Sequence, residues 1–269
     1  MATIGFLGSG NMAEALIKGI IKAKLYQPDN IFISDIRAER IEYMEKEYEV
    51  VGLDSNKTLA SKVDILVLSI KPQQMEDALI SIKAVIAPNV LVISIAAGIK
   101  VEKIQTSLGK LPIVRVMPNT PALIGEGASA LYANEKAKPR IEEAVKIFSA
   151  VGNAVVVDEQ DLIDAVTALS GSGPAYYFLL MEEMIKAAVK LGLDEPLAKQ
   201  LVLQTAKGAA ILALEADKKQ ESPQQLRKKV TSPGGTTEAA IKTFTEGKFA
   251  DLVTDAIQSA ANRSRELSG

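Results

Sequence analysis

Thr3-Ile4-Gly5-Phe6-Leu7-Gly8-Ser9-Gly10-Asn11-Met12-Ala13 is the stretch on which the reading of the fold turns. Residues 3–7 form a short apolar run and 12–24 carry apolar side chains at helical spacing, so the glycines between them join a strand to a helix. Gly8 permits a tight turn, Gly10 lets a pyrophosphate approach the backbone, and the small Ala13 allows close helix–strand packing. The first amides of such a helix point at any anion in front of them. In a strand–turn–helix context this Gly-x-Gly-x-x-Ala spacing indicates a dinucleotide site, whereas alone it would indicate only a tight turn. Gly8, Ser9, Gly10, Asn11 and Met12 are therefore expected to contact a cofactor.

Outward from this turn, strands and helices alternate. Apolar runs at 30–34, 65–70, 90–95, 113–117, 128–132 and 154–157 read as strands, with helical spacing at 38–47, 74–86 and 139–151. Continuous apolar strands separated by helices predict an α/β fold, a Rossmann-like, doubly wound, mostly parallel sheet buried on both faces. Beyond residue 157 the β-rich runs stop, and 161–193, 196–216, 237–244 and 249–267 are helical in pattern. The expected division is a dinucleotide-binding domain over 1–160 and an all-helical domain over 161–269.

The sequence has 269 residues, no cysteine and no histidine. That excludes disulfides, a thiolate nucleophile and zinc-finger chemistry, and removes the usual neutral-pH base and the commonest transition-metal ligand. No metal is expected, and a borrowed cofactor is the economical source of chemistry. A net charge of −2 gives no basic field for nucleic acid. Apolar stretches such as 86–99 are broken by Pro88, Asn89 and Gly98 and are too short for a bilayer. With no cationic leader before the first strand, the expectation is a cytoplasmic protein that engages neither membrane nor nucleic acid.

Ser34-Asp35-Ile36-Arg37 ends the second strand. An acidic residue there pairs with ribose hydroxyls, as in NAD sites, while a nearby Arg accommodates a 2′-phosphate, as in NADP sites. Asp35 favours NAD(H), Ser34 and Arg37 favour NADP(H), and Arg40 fits either a phosphate contact or a solvated helix start. Ile70, Lys71 and Pro72 follow one later strand, and Ala96, Ala97 and Gly98 follow the next. Ligands of open α/β sheets sit at such carboxyl ends. Ala97 and Gly98 leave room for a flat ring, and Lys71 is either a ligand contact or a surface charge.

Two Gly-rich elements interrupt the helical half. Ser170-Gly171-Ser172-Gly173-Pro174-Ala175 reads first as a helix–helix connection with Pro174 in the next first turn, and second as a close approach by ligand or helix. Ser232-Pro233-Gly234-Gly235-Thr236-Thr237 precedes a helix, where successive amides and two hydroxyls suit a carboxylate. Ordinary capping by Thr236 would place Glu at 239, but Ala239 stands there.

These blocks, with Arg115-Val116-Met117-Pro118-Asn119-Thr120-Pro121 and the run from Leu162 to Ala175, are similar over nearly the whole chain to the Δ1-pyrroline-5-carboxylate reductase family. The resemblance implies hydride transfer from NADPH or NADH to the imine carbon of L-1-pyrroline-5-carboxylate, giving L-proline in the last step of proline biosynthesis. It implies that the helical domain binds substrate and interlaces in a homodimer, with five dimers forming a decamer as a further implication. It places the substrate carboxylate on Ser232, Gly234, Gly235, Thr236 and Thr237, makes Thr237 the candidate proton donor, and marks Asn56 as an adenosine contact.

A cyclic imine can be protonated from solution, so its reduction needs no strong enzymic acid, in keeping with a sequence without His or Cys. The β-hydroxyacid dehydrogenases share the two-domain layout but carry a catalytic Lys soon after the first Gly-rich segment. Here Phe178 and Leu179 occupy that stretch and the first Lys is Lys186. The remaining alternatives are an NADP-dependent reductase of another small imine or carbonyl acid, and a nonenzymatic nucleotide-sensing relative.

Overall fold

In the computed structural model, which describes residues 2–268, one sheet holds eight strands. They are β1 (Ile4–Leu7), β2 (Ile31–Ser34), β3 (Val51–Gly52), β4 (Ile65–Leu68), β5 (Leu91–Ser94), β6 (Ile113–Met117), β7 (Gly127–Ala133) and β8 (Gly152–Val156). Their spatial order is β3-β2-β1-β4-β5-β6-β7-β8. The first six run parallel, β7 is antiparallel to β6, and β8 is parallel to β7. Strand order reverses between β1 and β4, where the doubly wound sheet opens its ligand crevice.

The strands lack hydrophobic–polar alternation because helices cover both faces. Ile4, Phe6, Ile65, Val67, Leu91 and Ile93 pack with Leu16 and Ile17 of α1 (Asn11–Lys22) and Ile147 and Phe148 of α6 (Ile141–Ser149). Their neighbours Leu7, Leu66, Leu68 and Val92 face the opposite layer. That layer is built on Leu59 of α3 (Asn56–Ala60), Leu79 of α4 (Met75–Ile82) and Ile104 of α5 (Val101–Leu108). Each such side chain contributes roughly 1.5–3 kcal/mol on burial. Helix α2 (Ala38–Tyr48) adds Met44 to the first layer.

Some elements depart from the sequence expectation. Strand β3 has two residues, too few for a pattern, and exists through its pairing with Phe32 and Ile33. Helix α3, for which no pattern is read in the sequence, is a five-residue turn capped by Ser55 and opened by Asn56. Helix α5 shows Val101, Ile104 and Leu108 on its buried side, a spacing present in the sequence. The element at 170–175 joins two helices, with Pro174 in the first turn of the second as expected, but the chain stays coiled through it. Helix α7 (Leu162–Val166) passes through a π-turn at Thr167–Gly171 into α8 (Gly173–Lys190). The Ser172 amide donates to the Thr167 carbonyl at 2.8 Å, and Gly171 lies where a Cβ would meet the Met117 methyl at 2.6 Å.

The chain forms two compact units, Met1–Pro174 with Ser259–Gly269, and Ala175–Gln258. The second unit comprises most of α8, α9 (Glu195–Asp217), α10 (Pro223–Lys229), α11 (Thr236–Glu246) and the start of α12 (Phe249–Ser268). Asp194 caps α9, and Ser222 with Gln225 forms a capping box on α10. No helix among the described residues is long and apolar enough to cross a membrane.

Ile93 is fully buried at the centre of the sheet. Ile93→Ala should lower unfolding free energy by about 2–5 kcal/mol, read from urea denaturation; a loss under about 1 kcal/mol would mean the site collapses around the cavity.

Candidate active site

The turn after β1 is set by backbone geometry. Gly8 has φ +91°, and a Cβ there would lie 2.6 Å from Ile70 Cγ2 and 2.7 Å from the Ser69 carbonyl oxygen. Gly10 is the N-cap of α1 with no side-chain cap, and nothing lies within 4 Å of where its Cβ would be. The first amides of α1 thus receive no side-chain cap, and buried Ala13 lets the helix sit close to the sheet. Ser69 fastens the turn by donating its hydroxyl to the Gly8 carbonyl at 2.6 Å.

Ser9 points inward. Its amide and hydroxyl both donate to Asp35 Oδ2, at 2.9 and 3.0 Å, while Asp35 Oδ1 accepts from the Arg37 amide at 3.0 Å and Nε at 3.3 Å. Burial alone would raise the Asp35 pKa, but these donors outweigh it and hold the carboxyl below its ordinary value. Asp35, expected to receive ribose hydroxyls, therefore spends its acceptors on the turn. Arg40 is also structural: Nε donates to the Ser9 carbonyl at 2.5 Å, and its guanidinium pairs with Glu14. Tyr48 and Tyr43 donate to the other oxygen of Glu14, at 2.8 and 3.0 Å, tying α1 to α2.

A cleft of about 560 Å³ opens beside the turn. Of the expected contacts it brings together Gly8, Gly10, Ser34, Asp35, Arg37, Asn56, Ile70 and Lys71. Ser34 donates to Asn56 Oδ1 at 2.9 Å, bridging the end of β2 to the start of α3. The Arg37 side chain is half exposed, and Lys71 makes no ion pair among the described residues, so two cations face the cleft. Gln74, Asp77 and Ser81 also line it; sequence reading missed them because they lie in and after the single turn at Pro72–Gln74, without a recognisable motif. Ser9, Asn11, Met12, Pro72, Ala96, Ala97 and Gly98 are not among its walls. On its Cβ side Gly98 is packed by the chain itself: a Cβ there would meet the Leu267 carbonyl oxygen at 2.8 Å.

In the second unit, Ser232–Thr237 leads into α11 with a different cap from the one expected. Gly235, not Thr236, is the N-cap, so Glu238 occupies the third helical position and accepts from the Gly234 amide at 2.8 Å. The Gly235 amide donates to the Ser232 carbonyl at 3.0 Å. The amides of Thr236 and Thr237 open the helix, where no earlier carbonyl can receive them. Among the described residues no group of three or more His, Cys, Asp or Glu could hold a metal.

A family model described as "Pyrroline-5-carboxylate reductase dimerisation" matches residues 160–267, and one described as "NADP oxidoreductase coenzyme F420-dependent" matches 3–98. The pyrroline-5-carboxylate reductase of Pseudomonas aeruginosa is 46% identical over 266 residues, covering 98% of this chain and 96% of that one. The chain belongs to the pyrroline-5-carboxylate reductase family. A solved pyrroline-5-carboxylate reductase from Coxiella burnetii superposes with a TM-score of 0.93 at 40% identity, covering 100% of this chain and 99% of that one. The Plasmodium falciparum pyrroline carboxylate reductase with NADP bound gives 0.87 at 32% identity, with 100% and 98% covered.

The depressed Asp35 pKa means that the folded state holds the carboxylate better than the unfolded chain does. Its stabilisation is complete above the unfolded value of about 3.9 and disappears as pH falls through the lower folded value. Asp35→Asn should lower the urea midpoint at neutral pH, with the difference from the parent closing as pH falls below about 4. A difference independent of pH would show that the turn does not use the charge.

Proposed function

We propose that the chain is an NADP(H)-dependent oxidoreductase acting on a CH–NH group, reducing L-1-pyrroline-5-carboxylate to L-proline in the last step of proline biosynthesis. The observation that carries this reading is a pair of helix N-termini, each preceded by glycine without a side-chain cap: Gly10 before α1 and Gly235 before α11. One suits a pyrophosphate and the other a substrate carboxylate. Relatives 39–46% identical over nearly the whole chain and named for this reaction support it.

The cleft residues fit the cofactor. The Gly8–Gly10 turn and the amides of Asn11 and Met12 would hold the pyrophosphate, while Ser34, Arg37, Asn56 and Lys71 would surround the phosphorylated ribose. With Asp35 committed to Ser9, the mixed NAD/NADP signature resolves toward NADP(H). Ile70 and Pro72 on one side and Ala96 and Ala97 on the other would border the remaining length of the molecule. When bound, the reduced nicotinamide supplies the hydride.

Thr236 and Thr237 would take the substrate carboxylate on amides and hydroxyls, with Ser232 and Gly234 shaping the loop. Gly235 contributes conformation in place of a donor, since its amide is already engaged. Thr237 would meet the imine nitrogen and steady its proton. Positioning is the main contribution such a site makes, because the protonated imine is already electrophilic.

We place substrate binding and homodimerisation in 161–269 and cofactor binding in 1–160. Side chains such as Tyr177 and Phe178 on α8 and Leu212 and Leu214 on α9 are exposed, more apolar surface than a lone helical unit leaves open. A second copy would cover it, with assembly of five dimers into a decamer as the larger form. The proposed location is the cytoplasm.

Purified protein should oxidise NADPH when pyrroline-5-carboxylate is added, and its scattering mass should be a multiple of 28.7 kDa. NADPH binding without turnover would support the nucleotide-sensing alternative instead. Arg37→Ala should raise KM for NADPH about tenfold and leave KM for NADH nearly unchanged. Thr237→Ala should lower kcat/KM for the imine about a hundredfold with NADPH affinity retained; parental kinetics would move the substrate site elsewhere.

A further inference from the structure

The loop from β5 to α5 leaves the sheet beside the crevice. Across the carboxyl edge the strands run β2, β1, β4, β5, so a dinucleotide with its adenosine end at β2 and its pyrophosphate at β1 extends toward β5. Within the loop Ala96 and Gly98 are buried and Ala97 is exposed between them. Its far end is pinned by Gln160, which accepts from the Val101 amide at 2.7 Å and donates to Glu102 at 2.9 Å. Its near end meets the end of the chain. Gly98 has φ +72°, and the point its Cβ would occupy lies 2.8 Å from the Leu267 carbonyl oxygen and 3.1 Å from that carbonyl carbon.

Apolar burial does not hold Leu267 there, since it is 58% exposed. Polar anchors do. Ser264 donates its hydroxyl to Asp164 Oδ1 at 2.7 Å, and the Ser268 hydroxyl is shared between the Ser264 carbonyl at 3.0 Å and the same carboxylate oxygen at 3.3 Å. Asp164, 3% exposed, also pairs with Arg115 Nη2 at 3.6 Å. Arg115, 2% exposed, stands in register with Ser94, the last residue of β5, at the root of the loop. A buried charge pair carrying hydroxyl donors is costly to disturb, so it fixes whatever it touches. Here it fixes the last turn of α12 against the backbone of the loop.

We propose that the last turn of α12 is a strut that positions the 95–98 loop for the nicotinamide end of the cofactor, with Ser264 and Ser268, acting through Asp164, as positioning residues. The inference rests on the cofactor reading given above. Without the two hydroxyls the helix end is released from Asp164, Gly98 loses its backstop, and the loop samples conformations that do not border the ring. The adenosine end, built on β1 and β2, is untouched.

The test is the double variant Ser264→Ala/Ser268→Ala in the full chain, with two probes: NADPH, and 2′-phospho-ADP-ribose, which lacks the nicotinamide. The Kd for NADPH should rise about tenfold and that for 2′-phospho-ADP-ribose less than about twofold, with KM for NADPH rising more than KM for the imine. Asp164→Asn, which keeps the side-chain shape, should show the same split. If both probes weaken equally, or neither changes, the strut is purely structural and the inference falls while the cofactor reading stands. If the parent chain binds neither probe, the cofactor reading falls, and this inference with it.

Discussion

The Asp35 carboxylate holds the cofactor end of the molecule together. One oxygen receives the amide and hydroxyl of Ser9, and the other receives Arg37, so the end of β2 is tied to the turn that follows β1. That tie keeps Ser9 buried between Gly8, which is packed against Ile70 and Ser69, and the more open Gly10. Helix α1 can then start at an uncapped Gly10, whose following amides have no side-chain acceptor, which is the basis of the anion site proposed above. A side-chain cap at residue 10 would satisfy those amides and close the site.

The same device recurs before α11, where Gly235 again supplies no side-chain cap. Two backbone cradles and a few hydroxyls are a sparse set of groups for an enzyme, and the chain has neither His nor Cys to add. For the proposed imine substrate the set suffices. The electrophile forms by protonation, and the remaining barrier is one of distance and orientation. The buried Arg115–Asp164 pair fits this division of labour, because it bears on a loop and touches no reacting atom.

Much of the first unit was legible in sequence. Fully apolar strands between amphipathic helices require a sheet covered on both faces, and the Gly8–Ala13 spacing marked the crevice. The two-residue β3 was not legible, since only pairing with β2 makes it a strand. The π-turn at Thr167–Gly171 read as a break because its Gly and Ser residues have low helix propensity, yet a π-bonded turn carries the chain through them. Glu238 was overlooked as the partner of the α11 cap because the cap was placed one residue late.

By itself the sequence determined the fold class, the Gly-rich turn after β1 and the Gly-rich entry to α11, because each depends on residues adjacent in the chain: local geometry and period are written locally. Only the tertiary structure decided what those residues do with their polar groups. Asp35 looks like a ribose ligand until Ser9, 26 positions away, is seen to occupy it. Gly98 has no local sign of a partner, yet Leu267 lies against its Cβ side. Asp164 pairs with Arg115 and also accepts from Ser264, 100 positions further along the chain. Hydrogen-bond capacity is limited, and which partner takes it depends on what the folded chain brings within about 3 Å.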